Sequence, residues 1–573
     1  MVSVAMANLQ QLPLPRLVAS LLVVRCSGHL ADSQRRYPRW ELDNASLQRL
    51  LEAGVGGVIL LGGSAIELRL RSRQLQAWAS ADLLLCADVE EGVGQRFEGT
   101  SWLVPPLALG RLHANDQAAA LALAERYGRC CGREALALGL NWVLAPVCDV
   151  NNNPANPVIN LRAWGEDPAT AGSLAAAFLR GAQAEGVLCC AKHFPGHGDT
   201  DCDSHLELPL LPHSRERLEA VELPPFRAAI AAGVASVMTA HLLLPALDAE
   251  RPATLSAAVL TGLLRQDLGF DGLVVTDALV MEAIAAHHGA GEAAVLALEA
   301  GADLVLMPAD ADAALAAILA AVAGGRLSRS QLEASAARRQ RALARRQGLA
   351  GESSETASET AAAPLGGLSN GPIAADRALA LELVQRSLRH QGGKLVPLVG
   401  GEAGSGAGTG AGAGAGAGGI SLIRVDSALG CPFLPPTAPA LIRSAAAGFR
   451  PQLLEGSRLS AASDAAATAG PIDLAWLGEG PVLLQLFVRG NPFRGSAAGR
   501  EPWAALISQL QAAGRLAGLA VYGSPYLWDS LQPLLAASTP AAWSPGQMPL
   551  AQAEVLAALG LGNQAAGQQG FTD

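Results

Sequence analysis

The chain has 573 residues, 50% of them apolar and 16% charged, with a formal net charge of −10. That length exceeds one ordinary hydrophobic core and predicts two domains, and the apolar share suffices to bury a large interior. The negative balance argues against general binding to nucleic acid or to an anionic membrane surface.

The first apolar run, Leu17–Val24, closed by Arg25, is too short to span a bilayer and lacks the basic leader and small-residue cleavage pattern of a signal peptide. It is the first of eight such runs, followed by Gly57–Leu61, Leu83–Ala87, Asn141–Val147, Val187–Ala191, Val234–Ala240, Leu273–Thr276 and Ala302–Met307, with Ala/Leu-rich helical stretches between them. Eight buried strands alternating with helices predict an α/β fold, a (β/α)8 barrel over residues 1–350, with its chemistry at the C-terminal ends of the strands. The polar residues fall at those ends: Asp88 after the third run, Asp149 and Arg162 after the fourth, Lys192 and His193 after the fifth, His241 after the sixth, Asp277 after the seventh. A doubly wound open sheet would gather such residues mainly at one switch point.

Arg338, Arg339, Arg341, Arg345 and Arg346 lie on an Ala-rich helical segment and read as a solvated helix face. The Ser/Glu/Thr/Ala/Gly composition of residues 351–371 reads as a linker. A helix around Ala374–His390 then opens a smaller α/β domain over residues 372–573, with strands at Ile420–Val425, Val482–Val488 and Leu516–Val521. Within it, the Gly/Ala run at 404–419 formally matches G-x-G-x-x-G at Gly414, Gly416 and Gly419. It precedes a strand instead of following one, so it reads as a flexible surface loop and not a dinucleotide site. The nine cysteines form no Cys-x-x-Cys pair and mostly sit in apolar runs, as at Cys26, Cys86, Cys148, Cys189 and Cys190. Reduced, buried thiols and a cytoplasmic location are expected.

The segment Lys192–Pro209 concentrates the chemistry, because it holds three of the ten histidines, His193, His197 and His205, beside Asp199, Asp201 and Asp203. Lys192 is one of only two lysines, with Lys394, which suggests a site that needs a compact ammonium in place of a guanidinium. Asp203 and His205 project to one side if the loop is extended, so the carboxylate can orient the imidazole of a general acid/base. Asp277 ends an apolar strand, where a carboxylate serves either as a buried hydrogen-bonded structural group or as a nucleophile toward an electrophilic carbon. Asp199, Asp201 and Asp203 imitate the start of a calcium loop, but Ser204 and Leu210 occupy the positions that need Gly and Glu. His193 and His197 have the spacing of zinc ligands on a helix, yet Pro195-Gly196 breaks any helix and no Glu follows His193. No metal is expected.

Together these stretches resemble the family 3 glycoside hydrolases, and in particular their bacterial β-N-acetylglucosaminidase branch. The resemblance rests on Lys192-His193-Phe194 through Gly196-His197-Gly198-Asp199-Thr200 and Asp203-Ser204-His205, and on Asp88-x-Glu90 through Gln95-Arg96-Phe97. It also rests on Ala145-Pro146-Val147 through Asn156-Pro157-Val158-Ile159 to Arg162 and Gly165-Glu166-Asp167-Pro168, and on the strand ending in Asp277. More weakly, Gly523-Ser524-Pro525-Tyr526 and Ser544-Pro545 are similar to the α/β sandwich that follows the barrel in many members.

The resemblance implies that Asp277 is the nucleophile, His205 the general acid/base and Asp203 its partner. It implies that Asp88, Arg162, Lys192 and His193 hold the hydroxyls and N-acetyl group of the terminal sugar, with no cofactor. The activity implied is exo-acting, retaining release of terminal GlcNAc from cell-wall fragments in peptidoglycan recycling. A β-glucosidase or a phosphorylase on the same scaffold, or a non-catalytic sugar-binding protein, remain open at this stage. Gly196 and Gly198 are expected to let the loop swing over the substrate. Glu91 stands where the family usually has Gly, Thr276 for Ser and Ala278 for a second Asp; Glu91 is expected to add bulk and charge near the sugar.

Overall fold

Pro13 and Pro15 start a helix, Leu14–Ala19, whose last three residues are buried, and only after it does the backbone extend into β1, Leu22–Ser27. The first apolar run is therefore two elements. Proline favours the first helical turn, and a segment buried on every side carries no periodicity to separate helix from strand.

The computed structural model describes residues 10–352, 372–398, 418–426, 432–454, 472, 474–490 and 501–562. The chain divides into two units, Met1–Ala380 and Leu381–Asp573. In the first, β1 is followed by β2 (Gly57–Leu61), β3 (Leu84–Ala87), β4 (Trp142–Val143), β5 (Leu188–Phe194), β6 (Ser236–Thr239), β7 (Leu273–Val275) and β8 (Val305–Leu306). They lie side by side in chain order, all parallel, and β8 pairs with β1. The ring closes through a bridge between Val275 and Leu304. There Thr276 Oγ1 accepts the Leu306 N–H at 2.9 Å, a hydroxyl function that serine would also supply. This is a (β/α)8 barrel. Its interior is filled by Trp142, Leu144, Cys190, Met238 and Leu304 among others, so it is a packed core with its chemistry confined to the rim.

The arginine cluster is only partly a solvated face. Arg339 is 6% exposed; its Nε and Nη2 donate to Gly56 O at 3.1 and 2.7 Å, and Nη2 also donates to Asp82 O. These carbonyls precede β2 and β3 at the bottom of the barrel, and the guanidinium fork supplies donors that buried carbonyls require. Arg338 pairs with buried Asp303 at 3.1 Å, whereas Arg341 is half-exposed beside Asp271.

In the second unit the sheet order is β11-β10-β12-β13-β14-β9, formed by Arg389–Gln391, Gly419–Val425, Phe449–Leu453, Val482–Val488, Leu516–Gly523 and Ala541–Ser544 as β9 to β14. All pairings are parallel except β14 with β9. Alternation along β12 sends Leu484 and Leu486 into a core with Trp503, Leu506 and Trp528. Gln485 points the other way and donates to Ala440 O at 2.9 Å, so helices cover both faces of an α/β sandwich. The helix expected at Ala374–His390 ends at Ser387, and His390 belongs to β9. Of the expected linker, residues 353–371 lie outside the described residues, as do 404–417 of the Gly/Ala run; Gly419 opens β10. The eight described cysteines are free thiols, seven of them buried. No helix among the described residues is long and apolar enough to cross a membrane.

Candidate active site

The C-terminal rim of the barrel carries every sequence-predicted site residue. Asp88 follows β3, Arg162 ends a short turn beyond β4, and Lys192 and His193 lie within the last three residues of β5 itself, which runs farther than expected. Lys192, 1% exposed, reaches Asp88 Oδ1 at 2.7 Å and Glu90 Oε1 at 2.6 Å. Arg162 grips the same Glu90 in a fork, Nε to Oε2 at 2.7 Å and Nη2 to Oε1 at 2.9 Å, and its Nη2 stands 3.5 Å from His193 Nε2.

Two carboxylates and two cations thus form one neutral, charge-assisted network, the arrangement that offsets the desolvation cost of burying ions. Burial pushes the Glu90 carboxyl up, but Arg162 and Lys192 overcome it and hold the group well below the ordinary range. Asp88 is held low in the same way, by Lys192 and Arg96 against burial. Lys192, which burial would neutralise, stays protonated beside Asp88 and Glu90.

His193 is fixed from behind. Asp149, fully buried, takes His193 Nδ1–H at 2.7 Å and the backbone N–H groups of His193 and His197 at 3.1 and 2.7 Å. With Nδ1 engaged, Nε2 is the nitrogen presented to the rim.

The loop after β5 brings Asp203 and His205 together. His205 Nδ1 meets Asp203 Oδ1 at 2.8 Å, and the His205 N–H bonds to the same oxygen at 2.9 Å. Asp203 is buried, and the imidazole, anchored at Nδ1, is 23% exposed. His197 supports this loop from below, with Nδ1 at 2.8 Å from Thr200 Oγ1 and Nε2 at 3.0 Å from Ser204 Oγ. Both its nitrogens are engaged, and burial pushes its pKa down to about 4.

The glycines of the loop are tightly packed. A Cβ on Gly198 would lie 1.7 Å from Val150 O, and one on Gly196, at φ +135°, 2.7 Å from Glu222 Cβ. Asn156 Nδ2 further donates to His197 O and Gly198 O at 2.8 and 2.9 Å. Their role is close packing of the loop's base.

Asp277 follows β7 by one residue. Its Oδ1 accepts the Ala278 N–H at 2.7 Å, and its own N–H is 3.3 Å from Thr239 Oγ1. Burial raises its pKa, but His241, His193, the Ala278 N–H and His205 outweigh burial and lower it overall. A carboxylate at the rim, ionised and held by one oxygen, has its other oxygen available for attack on carbon.

Glu90 and Arg96 carry no assigned role in the sequence reading, although Glu90 lies two residues from Asp88, and Asp149 is named there only as a residue at a strand end. Glu91 is turned inward, contrary to expectation. It is 1% exposed, and its carboxylate accepts Trp102 Nε1–H at 3.3 Å.

Comparison with known proteins gives this rim a context. The N-terminal domain of glycosyl hydrolase family 3 matches residues 16–342, and the bacterial C-terminal domain of that family matches residues 414–560. A β-hexosaminidase of Stenotrophomonas maltophilia (strain K279a) is 40% identical over 273 residues, covering 46% of this chain and 80% of the relative. β-Hexosaminidase A of Pseudoalteromonas piscicida is 42% identical over 197 residues, 32% of this chain, and the chain spans only 33% of that relative's length. Among solved structures, a family 3 β-N-acetylglucosaminidase from Paenibacillus sp. str. FPU-7 superposes with a TM-score of 0.72 at 30% identity, covering 96% of this chain and 97% of that one. Matched over more than half its length by the N-terminal domain of that family, the chain belongs to glycosyl hydrolase family 3.

Proposed function

We propose that the protein is an exo-acting, retaining β-N-acetylglucosaminidase that releases terminal β-linked GlcNAc, with cell-wall fragments as its source and the cytoplasm as its place of work. The observation that carries this reading is the Asp203–His205 pair on the loop after β5, at the same rim as the ionised Asp277. The β-hexosaminidase relatives support the substrate class. The barrel of residues 1–350 is the catalytic unit, joined through 351–371 to the domain of 372–573.

Asp277 is the nucleophile, attacking the anomeric carbon through its unengaged oxygen. His205, held by Asp203 at Nδ1, delivers a proton from Nε2 to the leaving oxygen and later takes one from the incoming water. Asp203 keeps the imidazole in the required tautomer and stabilises its protonated form. Asp88 and His193 Nε2 accept from the sugar's hydroxyls, while Arg162 and Lys192 donate to hydroxyl or N-acetyl oxygens. A neutral network lets these groups turn toward a sugar without leaving a net charge behind.

Comparing kcat/KM for an aryl β-N-acetylglucosaminide and an aryl β-glucoside tests this reading. A strong preference for the N-acetyl substrate is expected; preference for the glucoside would replace it with a β-glucosidase. Because an imidazole acid does not repel phosphate as a carboxylate would, products are also compared with and without phosphate. GlcNAc is expected in both, and GlcNAc 1-phosphate would make the protein a phosphorylase.

A further inference from the structure

The loop that carries Asp277 is clamped from beneath by a closed hydrogen-bond ring. His241, fully buried beyond β6, places Nε2 3.0 Å from Ala278 O and Nδ1 2.8 Å from Thr254 Oγ1. Thr254 Oγ1 lies 2.7 Å from Thr239 Oγ1, and Thr239 Oγ1 in turn accepts the Asp277 N–H. His241, Thr239 and Thr254 all have zero exposure.

Proton accounting fixes the donor at one end. Ala278 O can only accept, so Nε2 carries hydrogen in either protonation state of the ring. In the neutral ring Nδ1 accepts, and Thr254 Oγ1 has a single hydrogen for two acceptors, Nδ1 at 2.8 Å and Ala240 O at 2.9 Å. Burial favours that neutral ring. Both imidazole nitrogens and both hydroxyls thus have partners, as buried polar groups require.

The ring holds both ends of the Asp277–Ala278 pair, the N–H of the first residue and the carbonyl of the second. Between those two anchors lies the Ala278 N–H that fixes Asp277 Oδ1 at 2.7 Å. We infer that His241 is a positioning residue for the nucleophile: its Nε2–H sets where the Ala278 peptide lies and thereby aims the free oxygen of Asp277 at the anomeric carbon. The inference rests on the reading of Asp277 as nucleophile.

The test uses the full-length enzyme, a panel of aryl β-N-acetylglucosaminides with leaving groups of graded acidity, and the variants His241→Leu and His241→Gln. A misaimed nucleophile slows attack by about 100-fold for an error of roughly 1 Å. For His241→Leu we expect kcat/KM to fall by about that factor equally across the panel, leaving the leaving-group slope unchanged, with affinity for free GlcNAc within about threefold of the parent. The Gln amide can donate to Ala278 O, so His241→Gln should recover to within about tenfold of the parent.

Loss concentrated on poor leaving groups, activity of His241→Leu within threefold of the parent, parallel loss of GlcNAc binding, or no recovery with Gln would each overturn the inference. If His241→Leu does not fold, Thr254→Val decides instead. It strips Nδ1 of its partner and should cost about tenfold with the same unchanged slope, and no loss would overturn the inference. Asp277→Ala runs in the same assay, so survival of its activity would sink the underlying reading and not the clamp alone.

Discussion

His205 and Asp203 are joined twice through one oxygen, Asp203 Oδ1, which takes both the imidazole Nδ1–H at 2.8 Å and the His205 backbone N–H at 2.9 Å. Two bonds to one acceptor fix the plane of the ring as well as its tautomer. His205→Ala should therefore slow hydrolysis of poor leaving groups by about 10²–10⁴-fold, the usual worth of a general acid, and activated phenols far less. Asp203→Asn should show the same pattern at smaller size. Equal losses on both substrate types, measured as kcat/KM, would remove His205 from proton delivery.

Glu90 is the carboxylate on which the sugar-binding cations converge. Glu90→Gln leaves Arg162 and Lys192 sharing Asp88, and breaking such a buried pair costs about 3–5 kcal/mol. We expect a lower Tm and a raised KM with kcat less affected. Its folded pKa is depressed, so its contribution is present above the unfolded carboxylate value of about 4.3 and is lost as pH falls below that toward the folded value. Glu90→Gln should accordingly flatten the loss of stability on acidification below pH ~4, as followed by thermal unfolding.

His197 sets a second acid limit, higher on the scale. Its folded pKa of about 4 lies below the ordinary 6.5, so the neutral ring contributes stability that is present above 6.5 and is lost as pH falls from there toward 4. At about 1.4 kcal/mol per unit, the whole span is worth about 3.5 kcal/mol. The His197 imidazole resonances should stay in their neutral positions at pH 5.5 when followed by NMR, while those of a solvent-exposed histidine shift. Protonation of His197 near pH 6.5 would contradict the buried, doubly engaged ring.

Arg339 serves the opposite end of the barrel. Removing its guanidinium takes the donor from Asp82 O and leaves Gly56 O only the Leu84 N–H, and charge-assisted bonds of this kind are worth about 1.5–3 kcal/mol each. Arg339→Ala should lower Tm while leaving kcat/KM at a permissive temperature unchanged. A fall in activity without loss of stability would be incompatible with a purely architectural role.

The barrel was legible because each strand is buried on both faces, which writes eight apolar runs into the sequence with polar residues at their ends. Where one run hides two elements, as at Leu17–Val24, uniform burial erases the periodicity that would separate them. The rim residues Asp88, Lys192, His193 and Asp277 were legible from the same rule. Their partnerships were not, since Lys192 meets Asp88 across 104 positions of chain, and Asp149 gives no local sign that it holds three N–H groups of two histidines. Gly196 and Gly198 read as freedom of motion, but the fold uses their missing side chains for contact. Arg339 shows the same limit from the other side, because a helical arginine run does not reveal which member faces an unsatisfied carbonyl.

The central claim is that Asp277 becomes covalently joined to the sugar. Brief treatment with 5-fluoro-N-acetylglucosaminyl fluoride, followed by digestion and mass spectrometry, reads this directly. We expect one fluoroglycosyl adduct on the peptide containing Asp277, absent from Asp277→Asn. An adduct on another residue, or rapid turnover of aryl N-acetylglucosaminides with none formed, would contradict the assignment.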